Sequence, residues 1–244
     1  MTLYVNAANC VSWTDLSGTS NTVTLNNAPT LTSRLYTAVY GASPCAINFN
    51  GINQDATTAT SMSAPTSFSL GVWFNATTAS GKKLIGMENP GTGTAFPTNF
   101  DRLLWVGTDG KLYFGHYTGI STKSVYHISS PLKVFDGVPH YAVGTFDASS
   151  FKLYVDGDLV ASQTTTGSAE VYMGRWRIGS HGLDGGFMGI GGAGSGYVNA
   201  RIIAVQAYSI ALSAQQVLSN YAALMTNGSL IPSTAMNYPC SAGM

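Results

Sequence analysis

The stretch Phe151-Lys-Leu-Tyr-Val-Asp-Gly-Asp-Leu-Val160 constrains the fold of this chain more than any other. β-Formers on both sides of Asp156-Gly157 predict two antiparallel strands. A two-residue type I′ turn needs positive φ at both central positions, and Asp-Gly supplies them. Such a turn places Leu153 opposite Val160 and Tyr154 opposite Leu159, so apolar side chains lie on both faces. The expectation is an inner strand pair covered on each side, or one face that receives a loop. Ser67-Phe-Ser-Leu-Gly-Val-Trp-Phe74 reads as another strand, and Leu103–Val106 and Lys111–Phe114 form a hairpin about Gly107-Thr-Asp-Gly110.

One stretch reads as a helix, Ala214 to Leu224. Ser213 and Gln216 have the spacing of a capping box, and Leu212 and Val217 that of a hydrophobic staple. Val217, Leu218, Tyr221 and Leu224 make the apolar stripe. Residues 226–244 contain two prolines and no period and read as an extended tail, so the expected organisation is one domain over 1–225 with a tail over 226–244.

Composition narrows the partners. Charged residues are 9% of 244, with zero formal net charge, so the chain lacks the basic footprint that nucleic acid requires. No apolar stretch approaches ~20 residues, so membrane insertion is not expected. Met1–Cys10 has no basic region followed by an apolar one, so a cleaved signal peptide is not expected either. Cys10, Cys45 and Cys240 are odd in number and far apart. They read as buried free thiols, with a Cys10–Cys45 bridge as the alternative. Asn75-Ala-Thr and Asn227-Gly-Ser fit the glycosylation pattern but read as coincidence without a secretory signal.

In order along the chain, Trp13-Thr-Asp-Leu-Ser-Gly18, Ala46-Ile-Asn-Phe-Asn-Gly51, Phe68-Ser-Leu-Gly-Val-Trp73, Asp136–Asp147, Leu153-Tyr-Val-Asp-Gly157, Arg201–Tyr208 and Ala211-Leu-Ser-Ala-Gln215 form a series. This series resembles the laminin-G-like jelly rolls of the concanavalin A-like lectin and glucanase superfamily over roughly residues 12–224. The resemblance implies an all-β antiparallel sandwich with one short C-terminal helix. Two positions depart from the pattern: Val138-Pro139 stands where Trp-His is usual, and Gln206 where a charged residue is common.

Enzymes on this fold resemble one another in a strand whose alternate carboxylates supply nucleophile and acid/base about 5 Å apart. Here the glutamates are Glu88 and Glu170, and neither has a carboxylate at i±2 or i±4. His116, His127, His140 and His181 are dispersed, with His140 in a scaffold motif, and no Gly-x-Ser-x-Gly elbow occurs. Gly189-Ile-Gly-Gly-Ala-Gly194 matches a dinucleotide fingerprint in letters only, because no strand–helix frame surrounds it; it reads as a long flexible loop. The chain is therefore expected not to be an enzyme and to need no cofactor. Calcium is the one cofactor the superfamily raises, and Asp101, Asp109 and Asp184 are its candidate ligands by loop placement. For sugar binding, which asks for an exposed aromatic platform beside polar groups, Trp176, His181 and Asp184 are the candidates.

The neutral Ser/Thr/Asn/Gly-rich surface and the missing catalytic set point to a non-catalytic structural protein on the surface of a virion: a capsid decoration, fibre or adhesion subunit, here expected as a homo-oligomer. By analogy with laminin-G-like domains in phage structural proteins, its partners would be other capsid proteins or cell-surface glycans. The alternative is a stand-alone extracellular carbohydrate-binding, lectin-like module.

Overall fold

A computed structural model of the chain describes residues 3–6, 13–19, 21–32, 45–77, 81–89, 97–118, 124–164, 167–180, 187–194 and 196–227. The strands are β1 (Leu3–Asn6), β2 (Thr14–Asp15), β3 (Val23–Asn26), β4 (Thr30–Thr32), β5 (Ala46–Asn50), β6 (Asp55–Thr58), β7 (Met62–Ser63), β8 (Phe68–Asn75) and β9 (Lys82–Glu88). They continue as β10 (Phe100–Val106), β11 (Lys111–Thr118), β12 (Ser124–Lys133), β13 (Pro139–Asp147), β14 (Ser150–Val155), β15 (Asp158–Thr164), β16 (Met173–Ile178) and β17 (Asn199–Tyr208). One helix, α1 (Ala214–Asn227), follows.

The strands pair antiparallel in two sheets. The first runs β15-β14-β13-β8-β17-β1-β2, with β5 also on β17 and β4 on β5. The second runs β12-β11-β10-β9-β16-β6-β3, with β7 on β16. Between them, alternate residues of both sheets make the main core, among them Phe68, Leu70, Val72 and Phe74 of β8 against Leu104, Phe114 and Trp176.

Both sheets also bury parts of their outer faces. All eight residues of β8 are buried, because α1 lies over Trp73, Tyr141, Tyr154 and Tyr208. The capping box forms: the Gln216 N–H donates to Ser213 Oγ at 3.3 Å and the Ser213 N–H to Gln216 Oε1 at 2.9 Å. Leu212 and Val217 are buried in one cluster. The stripe differs from expectation: Leu218 is 45% exposed, whereas Asn220 is buried and donates to the Tyr208 hydroxyl. Gln206 is also buried, accepting from the Tyr141 hydroxyl and donating to that of Tyr208. Its neutral amide satisfies two phenols where a charged side chain would have no counter-ion.

The Asp156-Gly157 turn has the positive φ values expected, 54° and 92°. Tyr154 faces Leu159, but a bulge places Leu153 opposite Ala161, so Val160 is the extra residue. The pair is not an inner one: β14 buries Phe151, Leu153 and Tyr154, whereas β15 is an edge strand with Leu159 52% exposed. Cys45 is buried and disulfide-bonded, which corrects the free-thiol reading at that position; Cys10 and Cys240, and with them the Cys10–Cys45 alternative, lie outside the described residues.

Candidate binding cleft

Strand alternation builds a polar row on the outer face of the first sheet. Ile47 and Phe49 of β5 point into the core, so Asn48 and Asn50 point out. On β17 Ala200 and Ile202 point in, leaving Asn199 and Arg201 outside, and on β8 Phe74 is inside and Asn75 outside. Register aligns them: Arg201 sits opposite Asn48 on one neighbour and Asn75 on the other, and Asn199 opposite Asn50.

Asn48, Asn75, Thr77, Asn199 and Arg201 line a cleft of about 280 Å³, completed by Ala76 and Ala200. Arg201 Nε donates to Asn48 Oδ1 at 3.3 Å, which fixes the plane of the guanidinium. Asn75 is 5% exposed and its amide donates to the Gly137 carbonyl. That burial fits the reading of its glycosylation triplet as coincidence. Among the described residues, no Asp or Glu lines the cleft. Arg102 and Arg177 are ion-paired within the protein, to Asp101 and to Asp55 and Glu88, whereas Arg201 has no ion pair among the described residues.

The residues singled out from the sequence lie elsewhere. Trp176 is wholly buried in the main core and offers no stacking face, and the other tryptophans, Trp13, Trp73 and Trp105, are buried too. His181 and Asp184 lie outside the described residues. Asp101 is not a loop ligand: it is fully buried, paired with Arg102 and accepting from the Tyr172 hydroxyl at 2.9 Å, and burial pushes its carboxyl up to about 6. Asp109 is in an exposed turn, accepting from the Tyr113 hydroxyl at 2.8 Å and the Lys111 N–H at 3.1 Å. No cluster of three His, Cys, Asp or Glu that could hold a metal occurs among the described residues.

Glu88 is buried between Lys83 and Arg177 on the second sheet, and Glu170 is buried, its carbonyl accepting from Arg102. His140 bridges Asp156 at 2.7 Å and Asp136 at 3.3 Å. Residues 187–194 of the glycine-rich stretch do not form a free loop; they strap the outer face of the second sheet. Phe187 packs on Trp105 and Tyr117, Thr108 N–H donates to the Gly191 carbonyl at 2.7 Å and Gly194 N–H to that of Gly81 at 3.0 Å.

The two-sheet sandwich belongs to a wider class. A family model described as the concanavalin A-like lectin/glucanases superfamily matches residues 49–218, and the chain belongs to that superfamily. Comparison with curated proteins finds no sequence match. Among solved structures, the binding domain of Paraclostridial Mosquitocidal Protein 1 is similar with TM-score 0.63 and 12% identity, over 90% of this chain and 51% of that one. The binding domain of botulinum neurotoxin serotype G is similar with TM-score 0.62 and 11% identity, over 90% and 50%. A structure of botulinum neurotoxin type C, whose cell entry depends on interaction with two ganglioside molecules, is similar with TM-score 0.59 and 10% identity, over 91% and 51%. The chain spans about half the length of these structures, and at such identities the likeness is one of fold.

Proposed function

We propose that the chain is a non-catalytic glycan-binding module displayed on an extracellular surface, that of a virion in the first instance. The observation that carries this reading is Arg201, held by Asn48 and flanked by exposed Asn199, where planar amides and a guanidinium meet on a cleft of about 280 Å³. Such groups match vicinal hydroxyls and carboxylates by paired hydrogen bonds, and a cleft this small suits one sugar ring. The likeness in fold to toxin binding domains supports a binding role. The burial of Glu88, 2% exposed between Lys83 and Arg177, supports a non-catalytic one, because a carboxylate so enclosed is out of reach of a substrate. The Cys45 disulfide and a surface with few charges fit display outside a reducing cytosol.

A glycan array probed with the purified chain, with and without chelator, tests the reading. Binding is expected, unchanged by chelator and lost in Asn199→Ala. Absence of binding to every glycan at high protein concentration would overturn it. Co-purification with virions tests the setting; a protein found only apart from particles leaves the stand-alone module in its place.

A further inference from the structure

Taking the glycan-binding reading as its premise, we infer that the cleft selects sugars carrying a carboxylate, through end-on recognition by Arg201. The lining is unbalanced in one direction. Among the described residues it holds one cation, three amides and a hydroxyl, but no acidic side chain. Asn48 Oδ1 already accepts from Arg201 Nε, which leaves the Asn48 amide N–H groups as its outward function. The same bond holds the guanidinium by one edge. Its terminal nitrogens, with no ion pair among the described residues, form a fork whose geometry matches the two oxygens of a carboxylate.

Charge decides against phosphate. One guanidinium neutralises one negative charge, as a sugar carboxylate carries, whereas a phosphate monoester carries about −1.5 to −2 and calls for more cations than this cleft supplies. The backbone beneath is rigid where it matters. Arg201 is on an inner strand, hydrogen-bonded to β5 on one side and β8 on the other, so the fork is presented by the sheet rather than by a loop. Asn199, two residues along the same face, is exposed and placed to reach ring hydroxyls beside the carboxylate.

Calorimetric titration of the whole chain tests this with matched pairs: a methyl sialoside against its methyl ester, and methyl glucuronide against methyl glucoside. A 6-sulfated galactoside is the third arm. The acids are expected to bind with a dissociation constant on the order of 1 mM, and the neutral partners about 10-fold or more weaker. Binding by one acid alone assigns the carboxylate to that source. Arg201→Gln, which keeps the length and planarity of the side chain and whose folding is checked by its melting curve, is expected to bring the acids down to the neutral level. Arg201→Lys is expected to lose most of the selectivity, because a point charge cannot make the fork.

Equal binding of acid and ester, with both lost in Asn199→Ala, overturns carboxylate selection while leaving the glycan-binding reading intact. Preference for the sulfated arm overturns it likewise. Acid-selective binding that persists in Arg201→Gln places selection elsewhere on the molecule and overturns the assignment to this cleft. No binding of any arm up to about 20 mM, with no glycan bound on the array, removes both.

Discussion

His116 is a wholly buried imidazole among Phe68, Phe146 and Phe151, with Arg102 as the nearest charged influence. Its Nδ1–H donates to the Tyr117 carbonyl at 2.7 Å, and its Nε2 has no partner among the described residues. Burial pulls its pKa down to about 4, so the folded protein holds it neutral. The unfolded chain takes up a proton near pH 6.5 while the folded one does not, so this stability is present above 6.5 and is lost as pH falls towards 4. The loss is on the order of 3 kcal/mol, and urea unfolding at pH 7 and pH 4 should show much of it vanish in His116→Phe. His140 acts in the opposite sense. The hydrogen bond to Asp156 and the charges of Asp156 and Asp136 raise its pKa above 6.5, outweighing desolvation. Its contribution is present below pH 6.5 and is lost as pH rises through the higher folded value. His140→Ala should therefore cost more stability at pH 6 than at pH 9. The scaffold role expected for His140 was legible from its motif, whereas nothing around His116 in sequence marks it as buried: its aromatic neighbours come from β8, β13 and β14.

At the scale of elements, the two coverings of the outer faces differ in how far the sequence announces them. The helix was readable because its signals are local: a Ser213–Gln216 box and a staple lie within a few residues. Ser213→Ala should cost about 1 kcal/mol in thermal or urea unfolding. The stripe departs from expectation at Leu218 because the helix buries Asn220 instead, and an amide N–H that donates to a distant phenol leaves no periodic trace. The strap at 187–194 reads as a flexible loop in sequence for the same reason. Two of its glycines are demanded by tertiary contacts: a Cβ on Gly191, at φ 59°, would lie 2.4 Å from the Tyr113 ring, and one on Gly192, at φ 72°, 2.0 Å from Thr108 Oγ1. Gly192→Ala should lift the strap off Trp105, seen as a red shift in tryptophan emission, and cost roughly 1–3 kcal/mol. The candidate cleft is the least legible element of all. The alternation Ile47-Asn48-Phe49-Asn50 shows that asparagines face outward, but only the register of β5, β17 and β8 brings Asn48, Arg201 and Asn75 into one row.

At the scale of the whole molecule, the size of the cleft sets how the protein can work. On the proposed glycan-binding reading, a cleft for one ring, with one charge and no exposed tryptophan, gives weak monovalent binding, too weak to hold a particle on a cell by itself. Attachment through such a site requires many copies on one surface, because linking weak sites multiplies avidity by ~10²–10⁴ when geometry lets them engage together. Display on an assembly supplies that arrangement, and a sheet-borne site supplies its rigidity. Biotinylated chain tetramerised on streptavidin should therefore bind a surface dense in acidic glycans ~10²-fold or more tightly than the free chain, and the Arg201→Gln tetramer should show no such gain. Salt is the complementary probe. With a single ionic contact per site, raising ionic strength from low to physiological should weaken each monovalent contact only modestly, whereas the multivalent complex compounds that loss at every copy. A tetramer no tighter than the free chain would mean that the cleft is not the point of attachment, whatever the single chain binds in solution.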